Sequence, residues 1–222
     1  MMLPKFLIQA PRPSAHKTRQ LAVSFVILLL LILVISSVSV FTGKEELKNH
    51  EIRKVDTQML SFYRHQSSYT DPGEYSSHYK ALPESLPELC RVIKAQFIHP
   101  DADLPRYRDL IPLERSREDE KYPTVKTILA GLLAYNPAGL TDDRKPEQRL
   151  IVSCRYHAIL LASILKDRGI PVRVRYGFAH YLYPGHHIYH VICEVWNDQE
   201  QRWMLVDPDR QMVDFSRDQF DY

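Results

Sequence analysis

The longest apolar run, LAVSFVILLLLILVISSVSVF over residues 21–41, contains no charged residue, proline or glycine. Twenty-one residues at helical rise are long enough to cross the hydrocarbon core of a bilayer. A helix there satisfies its own backbone groups. A buried core helix of that length would normally show a polar face, and this run shows none. A cleavable signal peptide is the rival, with Ser37 and Ser39 as small residues near a cleavage point, but the apolar region exceeds the usual signal length. The pattern therefore predicts a single-pass transmembrane helix over 21–41 behind a basic tail over 1–20. Lys5, Arg12, Lys17 and Arg19 precede the span, and Lys44, Lys48, Arg53 and Lys54 follow it. The counts balance; the short basic N-terminus is placed inside and the rest of the chain on the extracytoplasmic side.

Beyond the span the apolar period changes several times. Ile52, Val55, Met59 and Phe62 recur at helical spacing and predict an amphipathic helix over 44–66. The polar, turn-rich SSYTDPGEYSSHY follows. Ser85 and Glu88 have capping-box spacing at the head of a second helix, whose apolar stripe is Leu86, Leu89, Cys90, Ile93 and Phe97. Residues 99–122 mix prolines with charges and predict a long surface segment. Pro123 opens a third helix, with Val125, Ile128, Leu129, Leu132 and Leu133 on one face and an end near Asn136-Pro137. After the polar TDDRKPEQR comes a helix over 154–168. It is apolar around most of its circumference between Ala158 and Leu165, and so should be buried. Gly169 and Pro171 end it.

The period then shortens to two. Val172, Val174, Tyr176 and Phe178 alternate with Arg173, Arg175 and Gly177, which gives a strand with one apolar face. IYHVICEVWN over 188–197 and RWMLVD over 202–207 are two more strands, and the short DQEQ turn between them makes an antiparallel hairpin. Arg173 and Arg175 are expected on the solvated face, and Trp196 and Trp203 as cross-strand partners. Helices packed on an antiparallel sheet make an α+β fold.

Composition narrows this reading only a little. At 45% hydrophobic and 25% charged, 222 residues suit one globular domain plus extra segments. A net charge of +2 without a long basic run excludes an electrostatic nucleic-acid binder. There is no internal repeat. Cys90, Cys154 and Cys193 form neither a disulfide framework nor a CxxC pair. Cys90 lies in a core stripe and reads as a small hydrophobe. An extracytoplasmic location would permit Cys90 and Cys193 to pair, leaving Cys154 free.

The candidate chemistry centres on Cys154. It heads the face formed by residues 154, 158, 161 and 165, at the mouth of a buried helix. Unpaired backbone N–H groups and the positive end of the helix dipole favour thiolate over thiol there. Such a thiolate is a nucleophile that needs a base. His190 lies on the second strand, and Asp207 ends the strand that pairs with it. A carboxylate in that position fixes the imidazole tautomer and stabilises imidazolium. His157, one helical turn from Cys154, is the local rival to His190, and Asp209 is the rival to Asp207. The loop HYLYPGHH carries His180, His186 and His187, but no cysteine or carboxylate joins them, so no metal is expected and the loop reads as an aromatic rim over the site.

Residues 151–209 resemble the transglutaminase-like superfamily, a branch of the papain-like cysteine fold. The resemblance rests on SCRYHAILLASILKDRGIPVRVRYG, YHVICEVW and RWMLVDPD. It implies a nucleophile helix packed on an antiparallel sheet, with Cys154 as nucleophile, His190 as base and Asp207 as its orienter. Two positions depart from the family pattern. Val152 stands where glycine is usual, and Trp196 follows His190 by six residues rather than closely. The implied activity is acyl chemistry on an amide or peptide bond through a thioester, without a cofactor, on a protein or peptide substrate. A catalytically inactive binding or scaffolding module is the alternative. The chain thus divides into a tail over 1–20, the span over 21–41, a helical lead-in over 42–122 and a transglutaminase-like domain over 123–222.

Overall fold

The computed structural model describes residues 56–183 and 185–221. The basic tail, the expected span and the first part of the expected 44–66 helix lie outside the described residues. Among the described residues no helix is long and apolar enough to cross a membrane. Residues 58–222 form one compact unit.

The described end of the 44–66 helix is helical through residue 64. Phe62, expected on its apolar face, is exposed; Tyr63 makes the contact instead, edge-on to Trp203 at 5.6 Å. Helix α1 spans Leu86–Gln96. The capping box expected at its start does not form: the Ser85 hydroxyl donates to the Glu88 carboxylate and takes no backbone N–H. A capping box does form on α2, Val125–Tyr135, where Thr124 and Thr127 bond reciprocally. Phe97 leaves the helical stripe predicted for it and opens β1, Phe97–Ile98, which pairs in parallel with β2, Leu150–Ile151.

Helix α3, Cys154–Asp167, buries every side chain from Tyr156 to Leu165. Gly169 ends it at φ +72°, a conformation that L side chains resist. The chain then enters β3, Val172–Ala179, followed by β4, Ile188–Asn197, and β5, Arg202–Asp207. Two short strands, β6 (Met212–Val213) and β7 (Phe220–Asp221), complete an antiparallel sheet in the order β6-β5-β4-β3-β7. The edge pairing of β7 depends on Gly177: a methyl group there would sit 2.1 Å from the Asp221 carbonyl oxygen.

Alternation along the strands sorts side chains between two cores. Val172, Val191, Cys193, Val195 and Val206 pack with α3, and Leu89, Ile93, Ile128 and Leu132 of α1 and α2 join the same cluster. Ala179, Ile192, Leu205 and Phe220 form a second cluster. Trp196 and Trp203 are register partners with ring centroids 5.4 Å apart, as expected. Arg173 and Arg175, expected on a solvated face, instead both bond the fully buried Glu194. The three cysteines are free, so Cys90 and Cys193 are not paired; the Cys193 thiol donates to the Ala158 carbonyl at 3.2 Å.

The segment 99–122 is mostly exposed, as its prolines and charges suggest, but it sends a few side chains inward. Ile111 joins Ile98 and Ile151 in a third cluster. Arg115 and Glu118 are buried and meet in a bidentate pair at 3.2 and 2.8 Å. Arg144 is buried too, and among the described residues it bonds no carboxylate. Its guanidinium donates to Gln96 Oε1 at 2.8 Å and to the carbonyls of Leu132, Gly139 and Gln148 at 2.9, 2.6 and 3.2 Å. It ties the end of α1 to the open end of α2. Replacing it as Arg144→Met keeps the volume but strands these acceptors, so we expect a loss of about 3 kcal/mol in denaturant unfolding.

Candidate active site

Cys154 is the first residue of α3, and the chain that delivers it is pinned from three directions. The Ile151 N–H donates to Glu118 Oε2 at 2.9 Å. The Val152 N–H donates to the Ile98 carbonyl at 3.1 Å. The Ser153 N–H and hydroxyl both donate to Asp119 Oδ1, at 3.2 and 2.6 Å. Val152, the departure from the family glycine, has its side chain fully buried in the main core, and the cleft wall takes Ser153 and Cys154 instead.

The structure brings Cys154, His190 and Asp207 together. His190 Nε2 lies 2.8 Å from Asp207 Oδ2. A carboxylate only accepts, so Nε2 carries the proton and Nδ1 is the ring atom left for the thiol. The thiol is 6% exposed, His190 2% and Asp207 0%. Burial alone would push the thiol up. Hydrogen bonds with His190 and His99, the His190 charge and a backbone bond at Val191 outweigh it, and the thiol falls to about 7. Burial likewise opposes the His190 cation, but the hydrogen bonds and charges of Asp207 and Cys154 raise it to about 10. Between those two values the pair is thiolate and imidazolium.

Asp207 is held as firmly as it holds His190. Its Oδ2 also accepts from the Tyr181 hydroxyl at 2.7 Å. Its Oδ1 accepts the N–H groups of Asp209 and Arg210, both at 3.0 Å. Tyr181 was not legible as a site residue; it sits in the loop read as an aromatic rim, and only the closed fold brings its hydroxyl under Asp207.

The two rivals fall elsewhere. Asp209 takes the ammonium of Lys94, which also bonds Asp103 Oδ2 at 2.6 Å. His157 is fully buried, and burial lowers it to about 4, so it is neutral at neutral pH. Its Nδ1 faces the Ser153 carbonyl at 3.3 Å. Its Nε2 lies 3.4 Å from Asp209 Oδ1, yet has no hydrogen-bond partner among the described residues. We read this as close packing rather than an ion pair, because the ring is uncharged.

His99 is the second site residue that the sequence did not reveal. Its Nδ1 accepts the N–H groups of Asp101 and Ala102, both at 3.3 Å. That leaves the proton on Nε2, the ring atom available to the Cys154 sulfur. The His99 N–H donates to Asp103 Oδ2 at 3.1 Å, so Lys94 links the His99 turn through Asp103 to the Asp207 turn through Asp209. Both histidines, the thiol, Tyr189 and Arg210 line a cleft of about 770 Å³. A separate cavity of about 650 Å³ beside Tyr63 and Lys166 contains none of these three candidates. A positioned thiolate, a proton-bearing imidazolium and an N–H donor facing one cleft are the parts that nucleophilic attack on a carbonyl requires.

Residues 120–208 match the family profile described as the transglutaminase-like superfamily core. The resemblance to that superfamily is therefore shown for this segment, which contains Cys154, His190 and Asp207. Comparison with curated protein sequences gives no match. Among solved structures, a chain from Cytophaga hutchinsonii provisionally described as a cysteine protease aligns with 15% identity and a TM-score of 0.42, covering 68% of this chain and 42% of that one. The periplasmic domain of TgpA from Pseudomonas aeruginosa aligns with 21% identity and a TM-score of 0.38, covering 70% and 48%. This chain thus spans less than half the length of either.

The His190 pKa gives a direct check on the geometry. Asp207→Asn removes the carboxylate whose hydrogen bond and charge favour the imidazolium, and leaves Cys154 alone to oppose burial. Histidine ring titration by NMR should then show His190 falling from about 10 toward the ordinary value of about 6.5.

Proposed function

We propose that this chain carries out cysteine-dependent acyl chemistry on an amide or peptide bond of a protein or peptide substrate. The observation that carries this reading is the buried run from the Cys154 thiol through the His190 ring to the Asp207 carboxylate, opening on one cleft. The Cys154 thiolate attacks the substrate carbonyl carbon. The C–S bond forms and the carbonyl electrons move to oxygen. Two donors meet that oxyanion, the His99 Nε2–H and a backbone N–H at the start of α3. As the C–N bond breaks, His190 gives its proton to the departing amine, leaving a thioester. His190 then takes a proton from water or from an acceptor amine, which attacks the thioester and returns the thiol. Hydrolysis and amine transfer share every step up to that second nucleophile. No cofactor enters the cycle. Residues 21–41 would hold the domain at a membrane, on its extracytoplasmic side.

Val152 motivates the alternative of an inactive module. Its burial away from the cleft that Cys154 lines supports the active reading.

A thiol-directed alkylating probe separates the two. The full-length protein should label rapidly at neutral pH, Cys154→Ala should not label at the site, and His190→Ala should label slowly because burial then dominates the thiol. Slow labelling of the parent, indifferent to His190, contradicts the enzyme reading. Once a substrate is found, His99→Ala should lower kcat by roughly 10²–10³-fold, the usual effect of losing one oxyanion donor. The pH profile should rise through about 7 as the thiol ionises, and fall through about 10 as His190 loses its proton.

A further inference from the structure

His180 follows the last residue of β3, and His187 precedes the first residue of β4. The two strands pair up to Ala179 and Ile188, so the loop 180–187 leaves and re-enters the sheet at these histidines. On the other side of β3, the edge strand β7 brings Asp221 opposite Phe178. The close approach allowed by Gly177 is what admits it. His180 Nε2 lies 2.9 Å from Asp221 Oδ2. The His180 and His187 rings meet edge to face, with centroids 4.6 Å apart. One donor atom from each of the three residues lies within 4.8 Å of the others. The sequence hides this group, because Asp221 lies 41 residues from His180 and the histidines have no acidic neighbour of their own.

Zinc binds imidazole nitrogen and carboxylate oxygen at about 2.0–2.2 Å, which sets its ligands roughly 3.3 Å apart in a tetrahedron. The His180–Asp221 separation is already close to that. His187 is exposed, and its donor nitrogen already lies within 4.8 Å of the other two donor atoms. Two imidazoles, one carboxylate and no thiolate suit a zinc-class divalent cation with one open position. An ion pair accounts for His180 and Asp221 alone; the His187 ring, which also meets Phe178 edge to face at 6.5 Å, is held beside them.

We propose that His180, His187 and Asp221 form a zinc-class metal site that fastens both ends of loop 180–187 to β7. The proposal is independent of the acyl chemistry, but it has a consequence for the cleft. Tyr181, adjacent to His180, bonds Asp207, and Tyr183 lines the cleft wall. Metal at the loop ends therefore stiffens the segment that holds the His190 partner.

The test uses the full-length chain with Cys154→Ala, so that the cleft thiolate cannot capture metal, after stripping with a chelator. Calorimetric titration with Zn²⁺ should show saturable binding of one ion per chain, and no response to Ca²⁺. Zinc should also slow proteolytic cleavage within loop 180–187. His187→Ala and the isosteric Asp221→Asn, both at exposed positions, should each weaken binding at least about tenfold, since loss of even an outer partner costs a metal site that much. His186→Ala should leave binding unchanged. Absence of saturable binding, or an affinity indifferent to His187→Ala and Asp221→Asn, or one lost with His186→Ala alone, overturns the proposal.

Discussion

A thiolate that is almost entirely removed from water persists only where positive charge and hydrogen-bond donors replace the lost hydration. That constraint orders the structure around Cys154. Burial works against the ionised sulfur, and His190, His99 and the backbone at Val191 reverse its effect. His190 in turn is buried and would shed its proton without Asp207. Asp207 is buried as well, and four donors converge on it: the His190 ring, the Tyr181 hydroxyl and two N–H groups of the following turn. Each buried charge is answered by the next, and the chain of partners ends in backbone.

The scaffold serves this arrangement through polar groups inside the core as much as through apolar packing. Glu118 and Asp119 take the N–H groups of the residues just before Cys154. Arg115 clamps Glu118 and also donates to the carbonyls of Glu147 and Arg149 at 2.7 Å. Lys94 reaches from α1 to Asp103 and Asp209, and so holds the His99 turn against the Asp207 turn. Satisfied networks of this kind fix one geometry, and removing a single member leaves a buried charge or dipole unpaired.

Much of this was legible from the chain alone, for definite physical reasons. The 154–168 helix and the three long strands announce themselves because period and burial agree over many residues. Cys154, His190 and Asp207, which the fold brings together, each lie at a predictable point on such an element. His99 and Tyr181 were missed because they sit in segments without periodicity, where long-range closure alone decides what they face. Residues 99–122 are mostly surface, as their charges indicate, but charge does not always mean solvent, and Arg115 and Glu118 neutralise each other inside. The same assumption placed Arg173 and Arg175 in water rather than on Glu194. Strands β1 and β2, two residues each, are too short to leave a pattern. The Ser85 motif pairs the two side chains with each other, and no backbone N–H reaches the Ser85 hydroxyl.

The central claim is that Cys154 is an ionised nucleophile held by an imidazolium at neutral pH. The difference in thiolate ultraviolet absorbance between the parent and Cys154→Ala, followed as a function of pH, measures it directly. A step centred near about 7 is predicted. A step at or above the ordinary cysteine value of about 8.5 would contradict the account.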